Sequence, residues 1–190
     1  MANLTLIAPK LDGSAISTFK RREHLSPREN TLWHIEAGTV RTYTLTEDGT
    51  LIVLGFWGLG DTVGQPFTCI QPYAVECLTD VKVRSIQPEE CGHLNQVLLS
   101  HLHQTQVLLR LRSGQIHQRL QQLLEWLTDK FGRESEQGQL IQLRLTHQDI
   151  ADTLGTTRVT VTRLLSQFKQ EGRIDWIDQY LLLPRKLHIC

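Results

Sequence analysis

The stretch that decides the reading runs Leu145-Thr146-His147-Gln148-Asp149-Ile150-Ala151-Asp152-Thr153-Leu154-Gly155-Thr156-Thr157-Arg158-Val159-Thr160-Val161-Thr162-Arg163. Threonine followed three residues later by aspartate is a capping-box start: Thr146 caps a helix, and Asp149 suits its positive end. Ile150, Ala151 and Leu154 give this short helix an apolar face, and Gly155 stands where a chain turning between two helices needs positive φ. A second helix follows, capped by Thr156 or Thr157, with Val161, Leu164, Leu165 and Phe168 at i, i+3, i+4 and i+7 facing a core. Its complementary face turns Arg158, Val159, Thr162 and Arg163 outward. The spacing from Ala151 through Gly155 to Val161 lets two helices cross closely, so residues 146–169 read as a helix-turn-helix. Arginine can fork onto guanine and a branched apolar side chain can meet a thymine methyl, so the outward face suits the major groove of double-stranded DNA. An αα-hairpin whose arginines are merely solvated would share the pattern. Beyond Gly172, residues 173–183 read as two short strands around a polar turn, a β-wing beside the helix pair.

Upstream, from Phe19 to about Glu89, the sequence breaks into short runs rich in Val, Ile, Thr and Tyr. Turn signals such as Ser26-Pro27-Arg28-Glu29-Asn30 and Glu47-Asp48-Gly49 separate them, the mark of an all-β sandwich or barrel. In residues 39–45 apolar and polar side chains alternate, as when one strand face packs inward and the other meets water. From about Leu94 to Arg112 the apolar spacing becomes near-heptad: Leu94, Leu98, His101 or Leu102, Thr105, Leu108 and Leu109. That stripe fits a dimer seam, or an ordinary core helix. Ser113-Gly114 interrupts it as a candidate hinge, and a second helix continues to about Lys130 with Ile116, Leu120, Leu123, Leu124 and Leu127 on one face. The polar residues 133–139 read as a loop before a short strand at 140–145. The expectation is an α+β chain in three parts: a β-barrel sensor-like domain over 1–92, a dimerisation helix over 93–112, and a winged helix-turn-helix over 113–190.

Composition restricts the function classes. The 190 residues carry 20 basic and 20 acidic side chains, so the whole chain does not advertise a polyanion partner. The halves differ: residues 1–90 hold 8 Lys/Arg against 11 Asp/Glu, whereas 91–190 hold 12 against 9. The positive half contains the helix-turn-helix. Residues 1–11 lack the basic start and apolar run of a secretory leader, and no stretch approaches a membrane span, so a cytoplasmic location is expected. Cys69, Cys77, Cys91 and Cys190 fall at no metal spacing and are too sparse for a disulfide framework.

On these residues the chain resembles the cyclic-AMP receptor protein/Fnr family of bacterial transcription regulators, over nearly its whole length. Leu32-Trp33-His34-Ile35-Glu36-Ala37-Gly38-Thr39-Val40-Arg41 is similar to the family's hallmark strand and glycine turn, and Gly60-Asp61-Thr62-Val63-Gly64 to its G-D-x-x-G corner. Residues 157–163 resemble the recognition helix of the cyanobacterial nitrogen-control (NtcA-like) branch. The resemblance implies a jelly-roll-like, cyclic-nucleotide-binding-like barrel and a homodimer on a palindromic operator, with RNA polymerase as a further partner. It also implies Arg158, Val159 and Arg163 as base readers and Gln148, Thr157 and Thr160 as phosphate contacts. Many members place glutamate where this chain has Val159. Glutamate accepts from a cytosine amino group and valine cannot, so the operator should resemble the GTA-type half-sites of the nitrogen branch instead.

The effector is less legible. Cyclic-nucleotide members hold the ribose with Gly-Glu and the phosphate with an arginine pair a few residues on. Here the first pair is Gly64-Gln65, and residues 66–74 contain no arginine, so cyclic AMP is not expected; another small ligand could use the amides of Gly64 and Gln65. The short chain before Phe19 also leaves open whether the barrel encloses a pocket at all. No cysteine precedes Cys69, which argues against an N-terminal iron-sulfur cluster, and no metal or other cofactor is expected. A cupin-like metalloenzyme is the alternative class, yet His24 and His34 are ten residues apart and no His-x-His pair occurs within the barrel stretch 1–92. A protein-interaction module with a vestigial helix-turn-helix is the third.

Overall fold

The computed structural model describes residues 16–26 and 30–185. The N-terminal segment 1–11, Cys190 and the middle of the Ser26–Asn30 turn lie outside the described residues. The first half is β-rich: β1 (Ile16–Phe19), β2 (His24–Leu25), β3 (Leu32–Ala37), β4 (Val40–Leu45), β5 (Leu51–Trp57), β6 (Thr62–Val63), β7 (Ala74–Cys77) and β8 (Val81–Ile86). They form two antiparallel four-stranded sheets, in the orders β1-β8-β3-β6 and β2-β7-β4-β5. Trp33, Ile35, Val40, Trp57, Val75 and Val83 fill the space between them. The Asp48-Gly49 turn joins β4 to β5 as expected, with Gly49 at φ 81°.

Two helices follow, α1 (Leu94–Arg110) and α2 (Ile116–Phe131), broken at Ser113-Gly114 as the sequence suggests. One side of α1 is fixed to the barrel. His101 donates from Nε2 to the Thr62 carbonyl at 2.9 Å and stacks on Trp57 at 4.0 Å, and the Gln104 Oε1 accepts from the Phe56 amide at 2.9 Å. Leu108 is buried on the same side. The heptad stripe therefore divides: His101 and Leu108 belong to an intramolecular face, while Leu98, Leu102 and Leu109 stay exposed with Thr105 between them. Leu98, Leu102, Thr105 and Leu109 step by four, three and four residues, which keeps them in one line along the helix.

The C-terminal part holds β9 (Gly132–Ser135), β10 (Gly138–Ile141), α3 (His147–Leu154), α4 (Arg158–Gln170), β11 (Asp175–Ile177) and β12 (Tyr180–Pro184), with sheet order β11-β12-β10-β9. Residues 133–139 are thus not a loop: β9 pairs with β10 from Gly132↔Ile141 to Gly138↔Ser135, and β10 ends at Ile141, short of the expected Leu145. As an edge strand with its side chains largely in water, β9 has no apolar face to display in the sequence. The core of this half, with Leu120, Leu124, Ile150, Leu154, Val161 and Phe168, is continuous with Val53, Phe56 and Leu78 of the barrel.

Alternation in β4 also misleads. Its polar Arg41 lies not in water but 6% exposed, because α3 covers that sheet face. There the Arg41 Nε donates to the Glu76 Oε2 at 2.7 Å, and its Nη1 makes an ionic contact of 3.0 Å with the Asp149 Oδ1, off hydrogen-bond alignment. Arg22 adds a bond from Nη1 to the Glu76 Oε1 at 2.8 Å and one from Nη2 to the Asp149 Oδ2 at 3.0 Å. Two barrel arginines and a barrel glutamate therefore grip the first turn of α3.

Candidate nucleic-acid interface

The helix pair starts as its sequence requires. The Thr146 hydroxyl accepts from the Asp149 amide at 3.1 Å, and the Asp149 Oδ2 accepts from the Thr146 amide at 2.8 Å. Burial works against a charged Asp149, but the Arg22 fork, both Thr146 donors and the Arg41 charge outweigh it and hold the carboxyl below its usual range. The helix ends at Gly155, φ 60° and ψ 51°, a left-handed conformation that costs glycine nothing. Of the two candidate caps for α4 it is Thr157 that serves, accepting from the Thr160 amide at 3.2 Å. Its hydroxyl also lies 3.0 Å from that of Thr160.

With a step of about 100° per residue, Arg158, Thr162, Val159 and Arg163 spread over an arc of about 140° of α4. The opposite arc is Val161, Leu164, Leu165 and Phe168, all buried. Arg158, Thr162 and Arg163 are exposed, and Val159 between them is 79% exposed. The Thr162 hydroxyl donates to the Arg158 carbonyl at 2.9 Å and lies 2.8 Å from the His147 Nδ1. Gln148, exposed at the start of α3, donates from its side-chain amide to the Asp152 Oδ1 at 2.7 Å. The wing flanks this face, with Asp178 and Gln179 at positive φ in its turn, and a 3.0 Å ion pair between Lys169 and Asp175 ties α4 to β11. Of the predicted residues, Gln148 lies at the start of α3, Arg158, Val159, Thr162 and Arg163 share the outward arc of α4, Thr157 caps that helix, and half-buried Thr160 lies off the arc toward Leu164. His147 sits among them, a neighbour the sequence reading passed over.

Relatives agree with this geometry. A Crp-like helix-turn-helix domain matches residues 118–187. The regulatory protein CysR of Synechococcus elongatus is 40% identical over 167 residues, covering 86% of this chain and 81% of that protein. The chain belongs to the Crp/Fnr family of transcription regulators. The global nitrogen regulator of Synechococcus elongatus is 36% identical over 109 residues, 57% of this chain and 49% of that protein. A crystal structure of a CRP-family transcriptional regulator from Thermus thermophilus superposes with a TM-score of 0.75 at 26% identity, covering 88% of this chain and 91% of that one. The regulator is accordingly a DNA-binding transcription factor, and the enzyme alternative finds no support.

The effector residues sit differently from the DNA face. Gly64 is held by close approach, since a Cβ there would lie 2.7 Å from the Thr31 carbonyl oxygen, and its amide donates to the Tyr73 hydroxyl. The half-buried Gln65 spends its side-chain amide on the Thr68 carbonyl at 3.3 Å. A cavity of about 450 Å³ does open between barrel and α1, but its walls include Thr42, Leu54, Trp57, Phe67, Tyr73 and Leu102, and neither Gly64 nor Gln65. Arg112 at its rim already donates to the Asp152 carbonyl at 3.4 Å. Among the described residues no three His, Cys, Asp or Glu side chains gather as metal ligands, and burial pushes the Cys77 thiol up to about 12. No helix among them is long and apolar enough to cross a membrane.

Proposed function

We propose that the regulator binds a two-fold symmetric DNA site as a homodimer, inserting α4 of each protomer into successive major grooves. One observation carries the reading: Val159 stands 79% exposed between two exposed arginines on a helix whose other side is buried. Arg158 and Arg163 would fork onto guanine edges and Val159 would meet a thymine methyl. Gln148, Thr157, Thr160 and Thr162 would hold phosphates or groove edges. RNA polymerase is the further partner proposed for a transcription regulator of this family. The test is selection of binding duplexes from a random pool. The expected product is an inverted repeat with half-sites one helical turn, about 34 Å, apart. Enrichment of unpaired single half-sites would count against the dimer.

Self-association is assigned to the line Leu98, Leu102, Thr105 and Leu109, because exposed leucines in heptad register call for a partner helix. Replacing Leu98 and Leu102 together by glutamate is expected to weaken dimerisation at least about a hundredfold, since four carboxylates would be buried per dimer. Sedimentation equilibrium reads this directly, and an unchanged dimer would move the seam elsewhere.

The effector, if the barrel takes one, is proposed to be something other than cyclic AMP. The cavity walls are largely apolar and aromatic, with Arg112 the one permanent cation among the described lining residues. Titration with cyclic AMP is expected to leave the melting temperature and the DNA affinity unmoved. A saturable shift in either would overturn this.

A further inference from the structure

The imidazole of His147 lies where three parts of the interface meet. It is the first residue of α3, its ring centroid is 6.3 Å from that of Trp176 on β11, and its Nδ1 is 2.8 Å from the Thr162 hydroxyl on the outward face of α4. The Thr162 proton is already committed, because that hydroxyl donates to the Arg158 carbonyl at 2.9 Å. A hydroxyl has one proton to give, and with it on that carbonyl the oxygen accepts from His147. In that arrangement the ring donates from Nδ1, and Nε2 is left without a partner among the described residues. In the neutral ring that nitrogen is a lone-pair acceptor, which a phosphate oxygen repels. On protonation Nε2 becomes a donor while the bond to Thr162 stays as it was, so the ring gains a phosphate-binding group without moving.

We infer that His147 is a proton-dependent clamp on the DNA backbone, so that each protomer takes up one proton from solvent when it binds its operator. The inference rests on the proposed DNA reading of α4. Before DNA arrives, burial and the neighbouring Arg158 guanidinium keep the ring below its ordinary value and so mostly neutral near pH 7. Among the described residues no other facing charge opposes this. The Asp149 carboxylate two residues on is taken by Arg22, Asp152 receives Gln148, and on β11 the Asp175 carboxylate is taken by Lys169. An arriving phosphate supplies the missing negative charge, raises the affinity of the ring for a proton and receives the Nε2 hydrogen bond. Proton uptake on binding means that affinity rises as pH falls.

The experiment measures affinity for a duplex selected from a random pool, at fixed salt, between pH 5.5 and 8. The wild type is expected to bind about five- to tenfold more tightly per protomer at pH 6 than at pH 7.5, as proton linkage through one imidazole requires. His147→Gln, neutral throughout, should lose that dependence, and His147→Arg should bind tightly with a flat profile. Calorimetry in buffers of different ionisation enthalpy should show proton uptake by the wild type and none by His147→Gln. A His147→Gln profile parallel to that of the wild type, or heats independent of the buffer, would overturn the clamp while leaving the DNA reading intact. A wild-type chain that prefers no duplex over any other would sink both.

Discussion

Asp149→Ala is expected to lower the unfolding free energy by about 3 kcal/mol, the low end of the cost of breaking a buried ion pair. The reason is that one carboxylate serves two structures. It closes the capping box of α3 through Thr146, and it neutralises Arg22 and Arg41, the second of which is 6% exposed. Removing it leaves Asp152, 3.7 Å from the Arg41 Nη1, and between the two cations a shared Glu76. Those remaining partners, together with the partial exposure of Arg22, keep the loss at the lower end. For a chain of this size the melting temperature should fall by about 6–12 °C. Asp149→Asn, which keeps an oxygen for the cap, should lose less. The pH dependence has a definite sign. The carboxyl is held below its unfolded value of 3.8, so its contribution is fully present above that value and is lost as pH falls through the lower folded value. Thermal melts of the variant should therefore converge on those of the wild type only in strong acid. Equal melting temperatures at pH 7 would show that the barrel does not grip α3.

Arg158→Ala and Arg163→Ala carry the other large effect, on DNA affinity and not on stability. Both side chains are exposed, and neither has an ion-pair partner among the described residues. Each substitution is expected to cost about 1–3 kcal/mol per protomer on the selected duplex, a factor of about 5–150, while thermal melts stay within the error of the wild type. Because α4 enters twice in a dimer, the measured loss should approach twice the protomer value. Val159→Glu is expected to change preference more than strength, since a carboxylate in that place accepts from cytosine and repels a thymine edge.

What the sequence told and withheld follows from the range of the forces involved. The capping box at Thr146–Asp149, the left-handed Gly155 and the four apolar positions of α4 are local patterns, and the structure realises each of them. The wing was legible for the same reason, through Asp178-Gln179 between two apolar runs. Strand β9 was not: an edge strand needs no apolar face, so its polar residues look like a loop until β10 is beside it. Alternation in β4 did not locate the sides of the pleat: Thr42 and Thr44 turn inward with Val40, Tyr43 and Leu45 share the side of Arg41, and α3 covers that side so that Arg41 becomes a buried salt-bridge residue. In α1 a single apolar stripe turned out to be two adjacent ones, since barrel groups as distant as Phe56 and Thr62 decide which side is inside. His147 escaped notice because its partner, Thr162, is fifteen residues away and only the crossing of two helices brings them together.

All of this places one surface at the centre, the outward arc of α4. Its most direct test is a cycle between residue and base. Affinities of the wild type and of Arg158→Ala are compared on the selected duplex and on duplexes changed one base pair at a time. The account predicts one position per half-site at which the base change costs the wild type about 1–3 kcal/mol and costs the variant nothing, the two losses failing to add. Losses that add at every position, with the variant differing only in a shallower salt dependence, would mean that Arg158 touches phosphate alone, and would contradict the claim that this face reads sequence.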